Sequence, residues 1–421
     1  MPGIEVLLSN TTDFDARFKS YRHLTGFVSG SVDLSMDSIA RSFSLQIAKE
    51  GPVNPSDMPK GQQYCAILVD GEQVLRGTVE VGSVSYDNSS HTISISGRSI
   101  TADIVDSSFL RSVVFQNDIS LRRIIRRVIL EIQRTVPNTD SGKQRDPFQR
   151  PRSLVGKPTV PDKIELAYID IIDETGITDF KLGEQNHILV LPGDNCFDFI
   201  EKLARIKRVL LTTDNNGNIV ISKGTPAEIN AYAVLGKNAV AGNFQFDYSN
   251  TFNTVGVIAT FDPQADVGNK GTSSTVPLPS EEATYDDLSV AVASHDALRK
   301  GRTLCVSAEE ITTYDYAIDR AVAELDIRRT RAKVHGMTVQ GFRNQTGQLW
   351  SPNTNIYVED EFAGIAERML LNTVSFKYDA STGSTTQLGF VPLDSYNLTL
   401  NSPGVAEREA IGLGIAISEV E

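Results

Sequence analysis

GMTVQGFRNQTGQLWSPNTNIYVEDEFAGIAERMLLNTVSFKYDASTGSTTQLGFVPLDSY, residues 336–396, decides the fold class. Three strand-like segments alternate with turn chemistry, which predicts antiparallel β-structure. Trp350, the only tryptophan, stands in the turn Gly347-Gln348-Leu349-Trp350-Ser351-Pro352-Asn353. A lone tryptophan in such a turn packs on a core or an interface with its N–H satisfied, or serves as a stacking platform for a ligand. The run Glu359-Asp360-Glu361 before Gly364 reads as a solvated strand-end turn; a hard cation is the other use of clustered carboxylates.

Upstream, 315–332 predicts an amphipathic helix with Ile318, Ala321, Val322 and Leu325 on one face. Residues 262–280, rich in Gly, Ser, Thr and Pro, read as a mobile segment, and 244–261 reads as β. Gly193-Asp194-Asn195 precedes a helix carrying Phe197, Ile200, Leu203 and Ala204 on one side. A hairpin follows, 209–213 and 219–222 around Asp214-Asn215-Asn216-Gly217-Asn218. That turn has the composition of a calcium loop in the wrong register, since Ile219 stands where glycine is needed.

The clearest helix is 117–135. Leu121, Ile124, Ile125, Val128 and Ile132 form its apolar face, Asp118 or Ser120 its cap, and Pro137 its stop. Arg122, Arg123, Arg126 and Arg127 fall mostly off that face. They form either a solvated surface or a clamp for an acidic group, best an intersubunit salt bridge. Residues 140–162, with four prolines, read as a long loop or interaction arm. The first hundred residues predict strands at 4–8, 30–47, 64–69, 74–81, 84–86 and 92–95, with a tight turn at Asp70-Gly71. At the other end Ile411, Leu413, Ile415 and Ile417 alternate with small residues. A lone strand of that kind must pair, with its own β-block or with a neighbouring subunit or partner.

At 421 residues the chain spans two to four units, and 40% hydrophobic content supplies several cores. A net charge of −13 argues against a nucleic-acid reader, which carries a basic face. Cys65, Cys196 and Cys305 match no zinc or redox spacing and predict reduced thiols. No signal-peptide pattern opens the chain and no apolar run spans a bilayer, so a soluble, cytoplasmically made protein without membrane insertion is expected. The five histidines lie in no metalloprotease motif. There is no nucleophile elbow, phosphate-binding loop or dinucleotide fingerprint, so neither enzyme activity nor a cofactor is expected.

Four stretches together resemble the baseplate hub proteins of Mu-like contractile-tailed phages. In 336–396 the family pattern G-x-L-W-x-P-N falls on Gly347, Leu349, Trp350, Pro352 and Asn353. The pattern LL-x-x-V-x-F falls on Leu370, Leu371, Val374 and Phe376, and Pro-x-Asp-x-aromatic on Pro392, Asp394 and Tyr396. GRSITADIVDSS at 97–108 is similar to the family's G-R-S-x-T-x-D-L-V-D-C-S; a serine stands at position 108, and no thiol function is carried over. The other two are 193–224, with its T-T-D strand end, and DYSNTFNTVGVIATF within 244–261. Related halves occur in type VI secretion spikes and in the late control protein D family.

The resemblance implies an α+β, mainly β fold: two tube-like antiparallel β-barrels plus smaller α/β modules. It divides the chain into a first tube-like barrel at 1–115, a helix and α/β module at 116–235, a second barrel at 236–396 with an insertion at 262–332, and a tail at 397–421. It further implies a homotrimer forming a pseudo-sixfold ring between the sixfold tail tube protein and the threefold central spike protein. Baseplate wedge proteins would be neighbours, and the tape measure protein and then DNA would pass through the channel. A cell-wall-degrading or carbohydrate-binding tail protein is the alternative. Trp350 with Leu349 and Pro352, the arginines Arg122, Arg123 and Arg126, and the tail residues Ile411, Leu413, Ile415 and Ile417 are the expected structural or interface residues.

Overall fold

The computed structural model describes residues 3–9, 21–24, 27–48, 63–86, 91–116, 118–133, 169–176, 179–180, 187–224, 227–260, 288–295, 298–307 and 314–396. The expected loop 140–162, the segment 262–280 and the tail strand at 411–417 lie outside these residues. The fold is α+β and mainly β. Two compact units emerge, one of residues 1–222, 340–352 and 373–387, the other of 223–339, 353–372 and 388–421.

The first unit opens with strands β1 (Ile4–Ser9), β2 (Tyr21–Leu24), β3 (Phe27–Ser35), β4 (Ser42–Ala48), β5 (Tyr64–Val69), β6 (Glu72–Tyr86) and β7 (His91–Ser99). They pair antiparallel in the order β3-β4-β7-β6-β5-β1-β2. Val32, Leu34, Phe43, Leu45, Ile93 and Ile95 alternate inward and are buried. The continuous alternation read over 30–47 is two strands. Ser35 Oγ accepts the Asp37 N–H (3.0 Å), and Ser38 Oγ both accepts the Ala40 N–H (3.0 Å) and donates to the Ala40 carbonyl (3.1 Å). These local side-chain bonds turn the backbone between β3 and β4. Gly97 sits where β6 and β7 approach closely; an added Cβ would lie 1.9 Å from the Thr78 carbonyl oxygen.

An α/β module completes the first unit: α1 (Ala102–Asp106), β8 (Val113–Gln116), β9 (Ile119–Ser120), α2 (Leu121–Gln133), β10 (Ile171–Asp173), β11 (Asp179–Phe180), β12 (His187–Val190), α3 (Cys196–Ile206), β13 (Leu210–Thr213) and β14 (Ile219–Ser222). Helix α2 starts later than the sequence pattern indicates, because Ile119 and Ser120 pair with Asp179 and Phe180 as a bridge. Ser120 Oγ still accepts the Arg123 N–H (3.3 Å), an N-terminal cap. Leu121, Ile124, Ile125, Val128 and Ile129 are buried against α3 and its strands, each worth about 1.5–3 kcal/mol. Asn195 caps α3, its Oδ1 accepting from Phe197 N (2.8 Å) and Asp198 N (3.0 Å).

The second unit holds β15 (Ala227–Val234), β16 (Ala239–Phe246), β17 (Thr254–Thr260), β18 (Leu288–Ser294), β19 (Thr303–Ser307), α4 (Tyr314–Thr330), β20 (Lys333–Gln340), β21 (Thr354–Asp360), β22 (Ile365–Asp379), β23 (Gly383–Val391) and a 3-10 turn, Leu393–Tyr396. Its main sheet runs β16-β20-β23-β22, with β21 against β22 and β15 parallel to β21. Ala317, Ala321 and Leu325 of α4 bury against Val255, Val257 and Ala293 of a three-stranded sheet, β18-β17-β19. The β reading of 244–261 breaks at Asp247, whose Oδ1 accepts the Ser249 N–H (2.8 Å), so β16 and β17 are separate strands. Residues 373–379 of β22 and 383–387 of β23 belong to the first unit, where β22 pairs with β3. Among the described residues the first unit's strand order ends on β2 without a closing pair, so no closed ring of strands appears.

Candidate assembly surfaces

The Trp350 turn is built from the inside out. Asn344 Oδ1 accepts from Thr346 N (2.9 Å), Thr346 Oγ1 (2.6 Å) and Gln348 N (3.3 Å), and Gly347 takes a positive φ of 81° that glycine tolerates. Arg343 then locks the turn onto the β5–β6 hairpin. Its Nη1 donates to Glu72 Oε1 (2.6 Å) and to the Gly347 carbonyl (2.8 Å), and its Nη2 donates to the Asp70 carbonyl (3.1 Å). Trp350 is 2% exposed, and its backbone N–H donates to the Phe342 carbonyl (3.3 Å). The expected satisfied indole is a correction: Nε1 is buried and lacks a partner among the described residues. Leu349 and Pro352 are half-buried. Trp350 is therefore a packing residue, and any outward contact from this turn falls to its two neighbours.

On α2, all four arginines are exposed. Arg126 Nη1 donates to the Ile169 carbonyl (3.0 Å), and Arg127 pairs with Glu131 (3.0 Å), which Arg111 also holds (2.5 Å). Arg122 and Arg123 make no ion pair among the described residues. They are the two cations of the set still available for an acidic partner.

Arg41, which sequence reasoning passed over, joins the two parts of the first unit. Its Nη1 donates to the Val74 carbonyl (2.6 Å) and to Asn215 Oδ1 (2.7 Å), and its Nη2 donates to the Thr213 carbonyl (2.5 Å). Burial pushes its pKa down to about 10, with Asp214 opposing. The receiving loop is an ordinary hairpin turn. Asp214 spends Oδ1 on the N–H groups of Asn216 and Asn218 and Oδ2 on Asn218 Nδ2, all at 2.8 Å.

In the second unit the acidic turn differs from its expected solvated form. Asp360 is 3% exposed, because its Oδ1 accepts the N–H groups of Phe362 (3.0 Å) and Ala363 (3.2 Å). Its Oδ2 lies 3.5 Å from Nε2 of fully buried His335. Phe362 is thrown outward, 95% exposed. Nothing in the spacing of His335 and Asp360 advertises this pair, since β20 and β21 bring them together from 25 positions apart. No cluster of three or more metal-ligating side chains occurs among the described residues.

Burial holds the His335 imidazole below its ordinary value, with Asp360 pulling the other way. The unfolded chain therefore takes up a proton near pH 6.5, where the folded one stays neutral. Stability is fully present above that pH and falls as the pH drops toward the folded-state value. Urea midpoints by far-UV circular dichroism at pH 7 and 5 check this: His335→Gln is expected to narrow the difference, and an unchanged difference rejects the assignment.

Both β-rich ends meet known domains. Residues 22–99 match the N-terminal domain of the Mu phage baseplate assembly protein GpP-like family, and residues 313–399 match the fourth domain of Mu phage baseplate assembly protein GpP. Both ends of the chain thus carry stretches similar to domains of Mu phage baseplate proteins. The baseplate hub protein gp44 of Escherichia phage Mu is 20% identical over 403 residues, spanning 94% of this chain and 91% of that one. Two solved structures share the fold. The 43 kDa tail protein of prophage MuSo2 from Shewanella oneidensis superposes with a TM-score of 0.67 at 22% identity, over 93% of this chain and 99% of that one. The tail protein from Neisseria meningitidis gives 0.65 at 15% identity, over 94% and 98%. The Arg343-locked turn lies within the second of these matches, and the close β6–β7 crossing at Gly97 within the first.

Proposed function

We propose that this Mu-type protein is the structural hub of a contractile-tail baseplate, resident in the virion after assembly in the host cytoplasm. Three copies form a ring in which each chain contributes two tube-like β-domains. Three molecules thereby present six similar faces to a sixfold tail tube and three to a central spike. The channel passes the tape measure protein and then DNA, and a chain of net charge −13 repels a phosphate backbone in transit. The observation that carries this reading is the pair of baseplate-domain matches, one in each β-rich end. Arg122 and Arg123, exposed and without ion pairs among the described residues, suit salt bridges across a subunit boundary, with wedge proteins or a neighbouring copy as the acidic side. Leu349 and Pro352, half-buried in their turn, suit a separate apolar contact.

Native mass spectrometry of the purified full chain, alone and with its spike partner, tests the ring. A trimer in at least one condition is the expected result, and a monomer in both contradicts it. Arg122→Glu with Arg123→Glu is expected to weaken the trimer by about tenfold or more in dissociation constant while leaving circular dichroism unchanged.

A further inference from the structure

β16 is the least finished element of the second unit. Every residue from Val240 to Phe246 is exposed, and among the described residues the strand pairs only with β20. Its outer edge therefore presents unpaired backbone donors and acceptors. The strand has no charged residue and no proline to blunt that edge, and its single register shift lies at its start, between Ala239 and Ala241. Phe244 and Phe246, 38% and 66% exposed, share one face, and Tyr248 continues the stripe; successive ring centroids are 6.2 and 6.3 Å apart.

The same aromatic rings line a cleft with Arg299, Arg302, Arg329 and Lys333. Against these four cations stand two lining carboxylates, Asp247 and Glu367. Arg302 is committed to the Tyr248 and Ser249 carbonyls, and Arg329 to Asp326. Arg299 and Lys333 are exposed and make no ion pair among the described residues. An acidic chain thus holds a locally basic, aromatic cleft beside an open strand edge.

One segment of this chain has the complementary chemistry. In residues 411–417, Ile-Gly-Leu-Gly-Ile-Ala-Ile, four large apolar residues alternate with small ones, a sequence that as a strand would put the large side chains on one face. Glu407 and Glu409, with Arg408 between them, precede it, and Glu419 and Glu421 follow, so acids outnumber bases four to one around it. The last described residue is Tyr396, and Pro392 itself lines the cleft. The 14 intervening residues reach up to about 50 Å. We propose that residues 411–417 add to the open edge of β16 as an extra strand. Their apolar face continues the Phe244–Phe246 stripe, and the flanking glutamates meet Arg299 and Lys333. Strand addition satisfies two hazards at once, a bare apolar edge and an apolar β-forming segment.

Hydrogen exchange by mass spectrometry on the full chain tests the assignment. Replacing Leu413→Asp with Ile415→Asp is expected to speed amide exchange in β16 by about tenfold or more, while β20 and β23 stay unchanged. Arg299→Glu with Lys333→Glu is expected to move β16 in the same direction; full protection in that variant removes the electrostatic half of the proposal. If the tail variant and the wild type exchange identically in β16, the proposal fails. Uniformly fast exchange then means a bare edge, and uniformly slow exchange means that another strand, such as β16 of a second copy, covers it. Dilution separates a tail bound within its own chain from one donated by a neighbour.

Discussion

Arg41→Ala is expected to destabilise the first unit by about 3–5 kcal/mol, since it leaves the carbonyls of buried Val74 and Thr213, and Asn215 Oδ1, without their donor and opens a cavity between two packed parts. Trp350, the only tryptophan, lies in the same unit, so its fluorescence follows that unit's unfolding. At a urea slope of about 3 kcal/mol per M, the midpoint falls by about 1–1.7 M. The sign is not trivial, because burying a guanidinium is itself costly. The depression of its pKa to about 10 expresses that cost. Arg41→Met separates the effects. It keeps the apolar stem, removes the desolvated charge, and still strands the Val74 and Thr213 carbonyls and Asn215. The expected loss is about half that of alanine. A methionine variant as stable as the wild type shows that charge burial cancels the hydrogen bonds; an alanine variant unfolding with the wild type shows that Arg41 does not hold the 214–218 turn.

Which features were readable before the structure follows from the range of the interactions involved. Helix α2 and helix α4 announce themselves through apolar spacing, and the turns at Asp70-Gly71 and 214–218 through residue types that act within four positions. The errors are local competitions that spacing does not record. Ser35 and Ser38 bend what reads as one continuous strand over 30–47, and Asp247 interrupts 244–261 in the same way. The assembly surfaces were less legible because they rest on distant partners. Arg41 meets residues more than 170 positions away, and Arg343 meets Asp70 and Glu72 across more than 270. Asp360 looks like one of three solvated acids. Only the folded sheet, which brings the end of β21 to His335 of β20, shows that it turns inward to His335 and two backbone N–H groups while Phe362 turns out. The alternation at 411–417 signals a strand in want of a partner but not which edge supplies one; exposure along β16 adds that information.

Trp350 yields a sharper expectation from its orphaned indole. Trp350→Ala removes one of the largest fully buried side chains and is expected to cost about 3–5 kcal/mol. Trp350→Phe behaves differently. It keeps most of the packed ring and deletes an N–H that is buried with no partner among the described residues. A stranded donor costs about 1–3 kcal/mol, roughly what the smaller ring loses through imperfect filling, so the phenylalanine variant is expected within about 1 kcal/mol of the wild type. The readout is the urea midpoint by far-UV circular dichroism, because both variants lose the fluorophore. A phenylalanine variant as damaged as the alanine one means that Nε1 does hold a hydrogen bond, to a water or a neighbouring molecule. The Leu-Trp-x-Pro turn would then owe its tryptophan to that bond and not to its bulk. Retained stability in both variants denies the turn a packing role and leaves Arg343, with its three contacts on the β5–β6 hairpin, as the residue that fixes it.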